Sequence, residues 1–252
     1  MAKLTEREDG SWGGPFVQFG LALHYQLAQG NNHVANLYQR CKHIDHDIWS
    51  LGALVHRLDW MSRQDMEFER WFYYASLDIE HFHTEFRAAM DYLAGIIYRG
   101  EGKRRDSYRR LIQWLPKEEG HQEFVGKRLA SIALESADWF WKMRTVRDEI
   151  MHRGAQALLF ESPKMLLFQV LDTHGRYLID NPAIMYNKNV AYFARYAALS
   201  FARLLVLLDT IAEEVSSSLD IDLNINGGFT SSGFSVLVPW MVELLSVYEE
   251  QI

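Results

Sequence analysis

The chain has 252 residues, 48% of them hydrophobic and 13% aromatic, enough to bury a sizeable core and too apolar for a disordered or fibrous chain. Its one cysteine, Cys41, excludes an internal disulfide framework and fits a reducing compartment. The formal charge of −7 argues against a general nucleic-acid-coating protein, but the charge is uneven: residues 99–153 hold 13 Lys and Arg against 9 Asp and Glu, and the remainder 13 against 24. A basic segment on an acidic body can still attract phosphate.

In chain order, the opening "MAKLTEREDGSWGG" carries acids and no apolar h-region, so it does not read as a signal peptide. Residues 15–29 and 32–60 show apolar positions at spacings of three and four, separated by the turn signal "QGNN". A long helix follows from about Gln64 to Tyr98, with an apolar stripe that includes Phe68, Phe72, Ala75, Ile79, Phe82, Phe86, Met90, Leu93 and Ile97. "RGEGKRRD" ends it, a short helix lies near 106–114, "LPKEEG" breaks the chain, and one further helix is predicted from about 122 to 151. Between about 155 and 187 the pattern changes. "AQALLFE", "KMLLFQVLD", "GRYLID" and "AIMYNK" are short apolar runs set off by Pro or Gly, the look of a small antiparallel sheet.

Helix returns at about 188–215, with Tyr192, Ala198, Leu205, Leu208 and Ile211 on the buried side, and again at 236–250. Between these lies "DLNINGGFTSSG", which opens like a calcium loop with Asp222, Asn224 and Asn226. It has Gly233 where the closing bidentate Glu is required, so it reads as a connection. Apolar runs such as "YAALSFARLLVLLD" are broken by Arg203 and Asp209 and are too short to span a bilayer. The expectation is a cytoplasmic protein with no membrane association, mainly α. It is one helical-bundle domain over residues 1–252 with a small antiparallel β insert.

Chemistry concentrates in "WFWKMRTVRDEIMHRG", residues 139–154. On a helix Arg144, Asp148 and His152 share a face, so Arg144 can pair with Asp148 and Asp148 can reach His152, fixing its tautomer. Arg147 offers a planar fork of donors suited to phosphate, Arg153 adds charge, and Trp141 can stack a base. These are the elements of an acid or base, a clamp and a platform, with Arg147, Asp148 and His152 as catalytic candidates and Arg144, Arg153 and Trp141 as substrate-binding ones. The same residues also satisfy the rules for a helix end: His and Arg in the last turn complement the dipole, and Gly154 follows as a cap.

Arg147-Asp148, three residues and His152 resemble the signature of the HEPN superfamily, the higher-eukaryote and prokaryote nucleotide-binding domains. In that signature an arginine and a polar residue precede a histidine, often near a glycine. Asparagine is commoner than Asp148 at the polar position. "LDIEHFHTEFRAAMDYLAGII" resembles the family's core helix, so the likeness spans about 64–152, while the sheet at 155–187 is not part of the minimal bundle. The resemblance implies a HEPN-like bundle and a metal-independent endoribonuclease, often a toxin component with an antitoxin partner, that needs no cofactor. It also implies a homodimer whose composite cleft receives one His152 from each chain. Many such proteins have lost catalysis and bind nucleotides or partners instead.

Two competing patterns occur. Arg40 and His46 in "RCKHIDH" repeat the Arg–His spacing, with Cys41 at the polar position. Asp78, His81 and Glu85 share a helical face, and if His43, His46 and Asp47 faced them the set could hold Zn, Fe or Mn; a duplicated Glu-x-x-His pattern is absent.

Overall fold

The computed structural model describes residues 14–64, 67–99, 107–153, 157–161, 164–170, 179, 182 and 184–223. They form a mainly α fold with a small antiparallel sheet: eight α-helices, one 3₁₀ turn and four strands among the described residues. Apart from Ile179, the strand expected at "GRYLID" falls outside the described residues, as do the helix at 236–250 and most of the "DLNINGGFTSSG" connection.

Helix α1 (Pro15–Ala28) starts with its proline at the first helical position, where the missing N–H costs nothing. Gly30, at φ 89°, turns the chain into a 3₁₀ turn (Asn32–Val34) that the Asn31 side chain caps by accepting from the His33 N–H. Helix α2 (Ala35–Ser62) and helix α3 (Phe68–Tyr98) follow, and the expected α3 stripe is buried from Ile79 through Phe82, Phe86, Met90 and Leu93 to Ile97. Helix α4 (Tyr108–Trp114) is capped by Ser107, whose Oγ accepts from the Arg110 N–H.

The single helix predicted for 122–151 is instead three: α5 (Glu119–Val125), α6 (Lys127–Glu135) and α7 (Ala137–Arg153). Gly126, at φ 97°, takes a conformation that side chains disfavour and separates the first two. At the second break, Ser136 Oγ donates to the Ala133 carbonyl at 2.8 Å and lies 2.6 Å from the buried Tyr108 hydroxyl. Strands β1 (Ala157–Glu161), β2 (Lys164–Gln169), β3 (Met185–Asn187) and β4 (Val190–Tyr192) pair antiparallel in the order β1-β2-β4-β3. The insert therefore runs past 187 to Tyr192, and helix α8 (Phe193–Leu219) starts later than the predicted 188. Extended pairing of Leu167 with Tyr192 and of Phe168 with Ala191 takes residues 190–192 out of the helix.

The described residues fall into two compact units, one within Met1–Asp47, Ala88–Ala137 and Arg203–Ser235 and the other within Ile48–Arg87 and Asp138–Ala202. In the first, Phe19, Leu23, Ile44, Leu93, Tyr108, Leu111, Leu208 and Val215 are buried, and so is Cys41, whose thiol burial pushes up to about 12. This is a packed small residue rather than a nucleophile. In the second, Phe82 meets Phe193 and Phe201 at ring distances of 5.4 and 6.1 Å, and Phe168 meets Phe193 at 5.6 Å. No described helix is long and apolar enough to cross a membrane.

One tertiary cap ties the first unit together. Asp209 Oδ1 accepts from the Phe16 N–H at 3.1 Å, so a carboxylate on α8 satisfies an orphan donor of α1. The approach needs Gly14, where a Cβ would lie 2.9 Å from that oxygen. Burial pushes the Asp209 carboxyl up to about 6, against the Phe16 hydrogen bond, and Glu213 adds to the rise. Because the folded value lies above the unfolded one, the contribution to stability is full below about pH 4 and is lost as pH rises through 6. Asp209→Asn, which keeps an acceptor for Phe16, should therefore raise the melting temperature at pH 7–8 by roughly 2–4 °C and flatten its slope between pH 4 and 6. A melting series showing the wild type more stable at pH 8 would contradict this.

Candidate functional site

Helix α7 buries Phe140, Met143, Val146 and Ile150 at spacings of three and four. This leaves Trp141, Arg144, Arg147 and Asp148 half-buried beside the core face, with Met151 and His152 exposed in the last turn. Asp148 is the hub. Its Oδ2 lies 3.0 Å from Arg144 Nη2 and its Oδ1 accepts from Arg147 Nη1 at 2.7 Å. The Arg144 guanidinium also stands 5.8 Å from the centroid of Trp141. Thus the expected Arg144–Asp148 pair forms, and Arg147 joins it. The other step in the expected chain does not: among the described residues no hydrogen bond or ion pair joins Asp148 to His152, and both Asp148 oxygens are engaged by arginines. Arg153 is the last residue of α7, and Gly154 lies outside the described residues.

Sequence spacing missed the histidine that the fold brings near Arg147. His83 is buried, with Nδ1 2.7 Å from the Ile79 carbonyl and Nε2 2.9 Å from the Tyr196 hydroxyl. A carbonyl can only accept, so Nδ1 carries the proton and Nε2 accepts from Tyr196. Burial lowers the His83 imidazole to about 4, opposed by the Ile79 bond and assisted by the positive charge of Arg147. His83 is therefore a neutral tie, not an acid or base for work near neutral pH. Its place four residues after Ile79 and three before Phe86 was the available signal.

The metal-type candidates find other partners. Arg57 grips Asp78 with two bonds, Nε donating to Oδ2 at 2.7 Å and Nη2 to Oδ1. His81 pairs with Glu85 at 3.0 Å, and the His43 ring stacks on Tyr92 at 4.7 Å. His43, His46 and Asp47 belong to one unit and Asp78, His81 and Glu85 to the other. Among the described residues no group of three or more His, Cys, Asp or Glu side chains is placed to hold a metal ion. Of the competing Arg–His match, Arg40 donates to Asn36 Oδ1 at 3.1 Å and lies against Gly95, where a Cβ would collide with its guanidinium; His46 is exposed.

A pocket of about 660 Å³ opens between α2 and α3, with Met151 of α7 in its wall beside His152. Arg57 and Trp60 come from α2, and Tyr74, Leu77 and Asp78 from α3. Comparison of the chain with protein-family models, with curated proteins and with solved structures gives no match.

The buried imidazole has a titration consequence. A histidine whose folded value is depressed loses stability as pH falls below its unfolded value of 6.5, because only the unfolded chain takes up the proton. The loss should approach about 3 kcal/mol by pH 4, at 1.36 kcal/mol per unit. His83→Gln should melt below the wild type at pH 8, and the gap should narrow steadily towards pH 4. Parallel curves for the two proteins would count against a neutral buried His83.

Proposed function

We propose that the chain is a HEPN-like RNA- or nucleotide-binding module that acts as a metal-independent endoribonuclease through Arg147 and His152. The observation that supports this reading is the last two turns of α7: an exposed imidazole at His152, and a turn earlier a guanidinium at Arg147 held in place by Asp148. RNA brings its own nucleophile. Its 2′-hydroxyl oxygen bonds to the adjacent phosphorus as the bond to the 5′-oxygen breaks. One His152 takes the 2′ proton and a second, from the partner of a homodimer, gives a proton to the leaving oxygen. Arg147 stabilises the charge that grows on the phosphoryl oxygens, with Arg144, Arg153 and Trp141 along the strand. A toxin role with an antitoxin partner fits the same chemistry.

A second reading, noncatalytic binding, draws on one observation: Asp148 already engages both Arg144 and Arg147, so a phosphate must compete with a carboxylate for them.

The test is cleavage of single-stranded RNA in EDTA, with 2′,3′-cyclic phosphate ends as the product and a solution mass of twice 29.4 kDa. His152→Ala should abolish turnover with the melting temperature nearly unchanged. Arg147→Ala should weaken both binding and turnover, and Arg40→Ala and His46→Ala should do neither. Equal losses from both pairs, or full activity in the His152 variant, would return the segment to a capped helix end. Asp148→Asn separates the two readings. If the carboxylate only mutes the arginines, RNA affinity should rise several-fold with no cleavage before or after; a loss of cleavage in that variant favours catalysis.

A further inference from the structure

Beside the end of α7, four large apolar side chains converge without cover. Trp60 is 53% exposed, Tyr74 48%, Leu77 59% and Met151 46%, and all four line the pocket between α2 and α3. Single exposed apolar residues are ordinary, but a convergent set around a concavity marks a binding surface. At about 660 Å³ the pocket has the size of a small-molecule site. Its charges largely cancel. Arg57 is gripped by Asp78, which is 7% exposed, and His81 faces Glu85. That balance disfavours a phosphate inside the pocket and favours a neutral, flat ligand.

We infer that this pocket takes a nucleobase, stacked against Trp60 and Tyr74 and met at its edge by Arg57. The Asp78 fork uses Nε and Nη2 of Arg57, so the guanidinium is fixed in advance and Nη1 remains outside the fork as a donor for a base carbonyl or ring nitrogen. Stacking on exposed aromatics tolerates any base. Trp141 is less suited to that role, because the Arg144 guanidinium stands over its ring. Insofar as the base belongs to a strand that reaches His152, the inference rests on the function proposed above.

The experiment is fluorescence anisotropy of a labelled eight-nucleotide oligoadenylate, with adenosine as competitor. The proteins are the wild type, Trp60→Ala, Tyr74→Ala and the control Trp49→Ala, each first shown to fold by circular dichroism and melting. Trp60→Ala and Tyr74→Ala should each weaken the oligomer by roughly tenfold, whereas Trp49→Ala should bind as the wild type does. Adenosine should compete. If Trp60→Ala and Tyr74→Ala bind the oligomer like the wild type, the pocket assignment is overturned, and cleavage still decides the ribonuclease reading. Adenosine bound by the wild type and lost in Trp60→Ala, with no oligomer bound, keeps the pocket and removes the RNA reading. Binding of neither overturns both. A change of solution mass in Trp60→Ala with binding intact makes the patch a contact between copies and overturns the inference.

Discussion

The second unit depends on a neutral imidazole held inside an aromatic cluster. His83 sits among Phe82, Phe168 and Tyr196, and its two ring nitrogens are satisfied by the Ile79 carbonyl and the Tyr196 hydroxyl. An uncompensated polar group in such a place would cost several kcal/mol, so α3, α8 and β2 are constrained to meet in a single register. The Tyr196 hydroxyl fixes how α8 leaves the sheet, and Phe168 fixes where β2 lies over α3. Arg147 brings its charge close to this cluster, which ties the orientation of α7 to the same core.

The charge arrangement on α7 follows from that placement. Arg147 is only 20% exposed and Arg144 22%, so each cation has given up much of its hydration. A lone guanidinium in that position would be poorly tolerated, and Asp148 compensates both at once. Its carboxylate thus serves stability and, in the proposed function, positions the phosphate clamp. The exposed His152 lies outside this network.

Long, regular elements were legible because their apolar period persists. The stripe from Ile79 to Ile97 predicts α3, and the spacing of Arg144 and Asp148 predicts that they share a face of α7. What sequence did not reveal were breaks and pairings that the period hides. The apolar pattern runs through Gly126 and Ser136 as though one helix continued, yet the backbone at φ 97° and the Tyr108–Ser136 hydrogen bond divide it. Val190–Tyr192 looks like the first turn of α8, and only its ladder with β2 makes it a strand. Asp78 has the spacing of a ligand with His81 and Glu85, but its partner, Arg57, is on the preceding helix. His83 and Tyr196 lie 113 positions apart, beyond any local pattern. Arg144 and Asp148 were legible because i,i+4 is a local distance.

The Asp209–Phe16 contact spans 193 positions, and this separation bears on the order in which the chain can assemble. A helix as short as α1, 14 residues, has little stability by itself, and its N-cap residue, Gly14, offers no side-chain cap. The acceptor arrives only when α8, made late in synthesis, has docked. Helix α1 thus leaves the ribosome well before α8 and is among the last to become secure, and its amides should exchange with solvent before those of α3. The earlier helix waits on the later one.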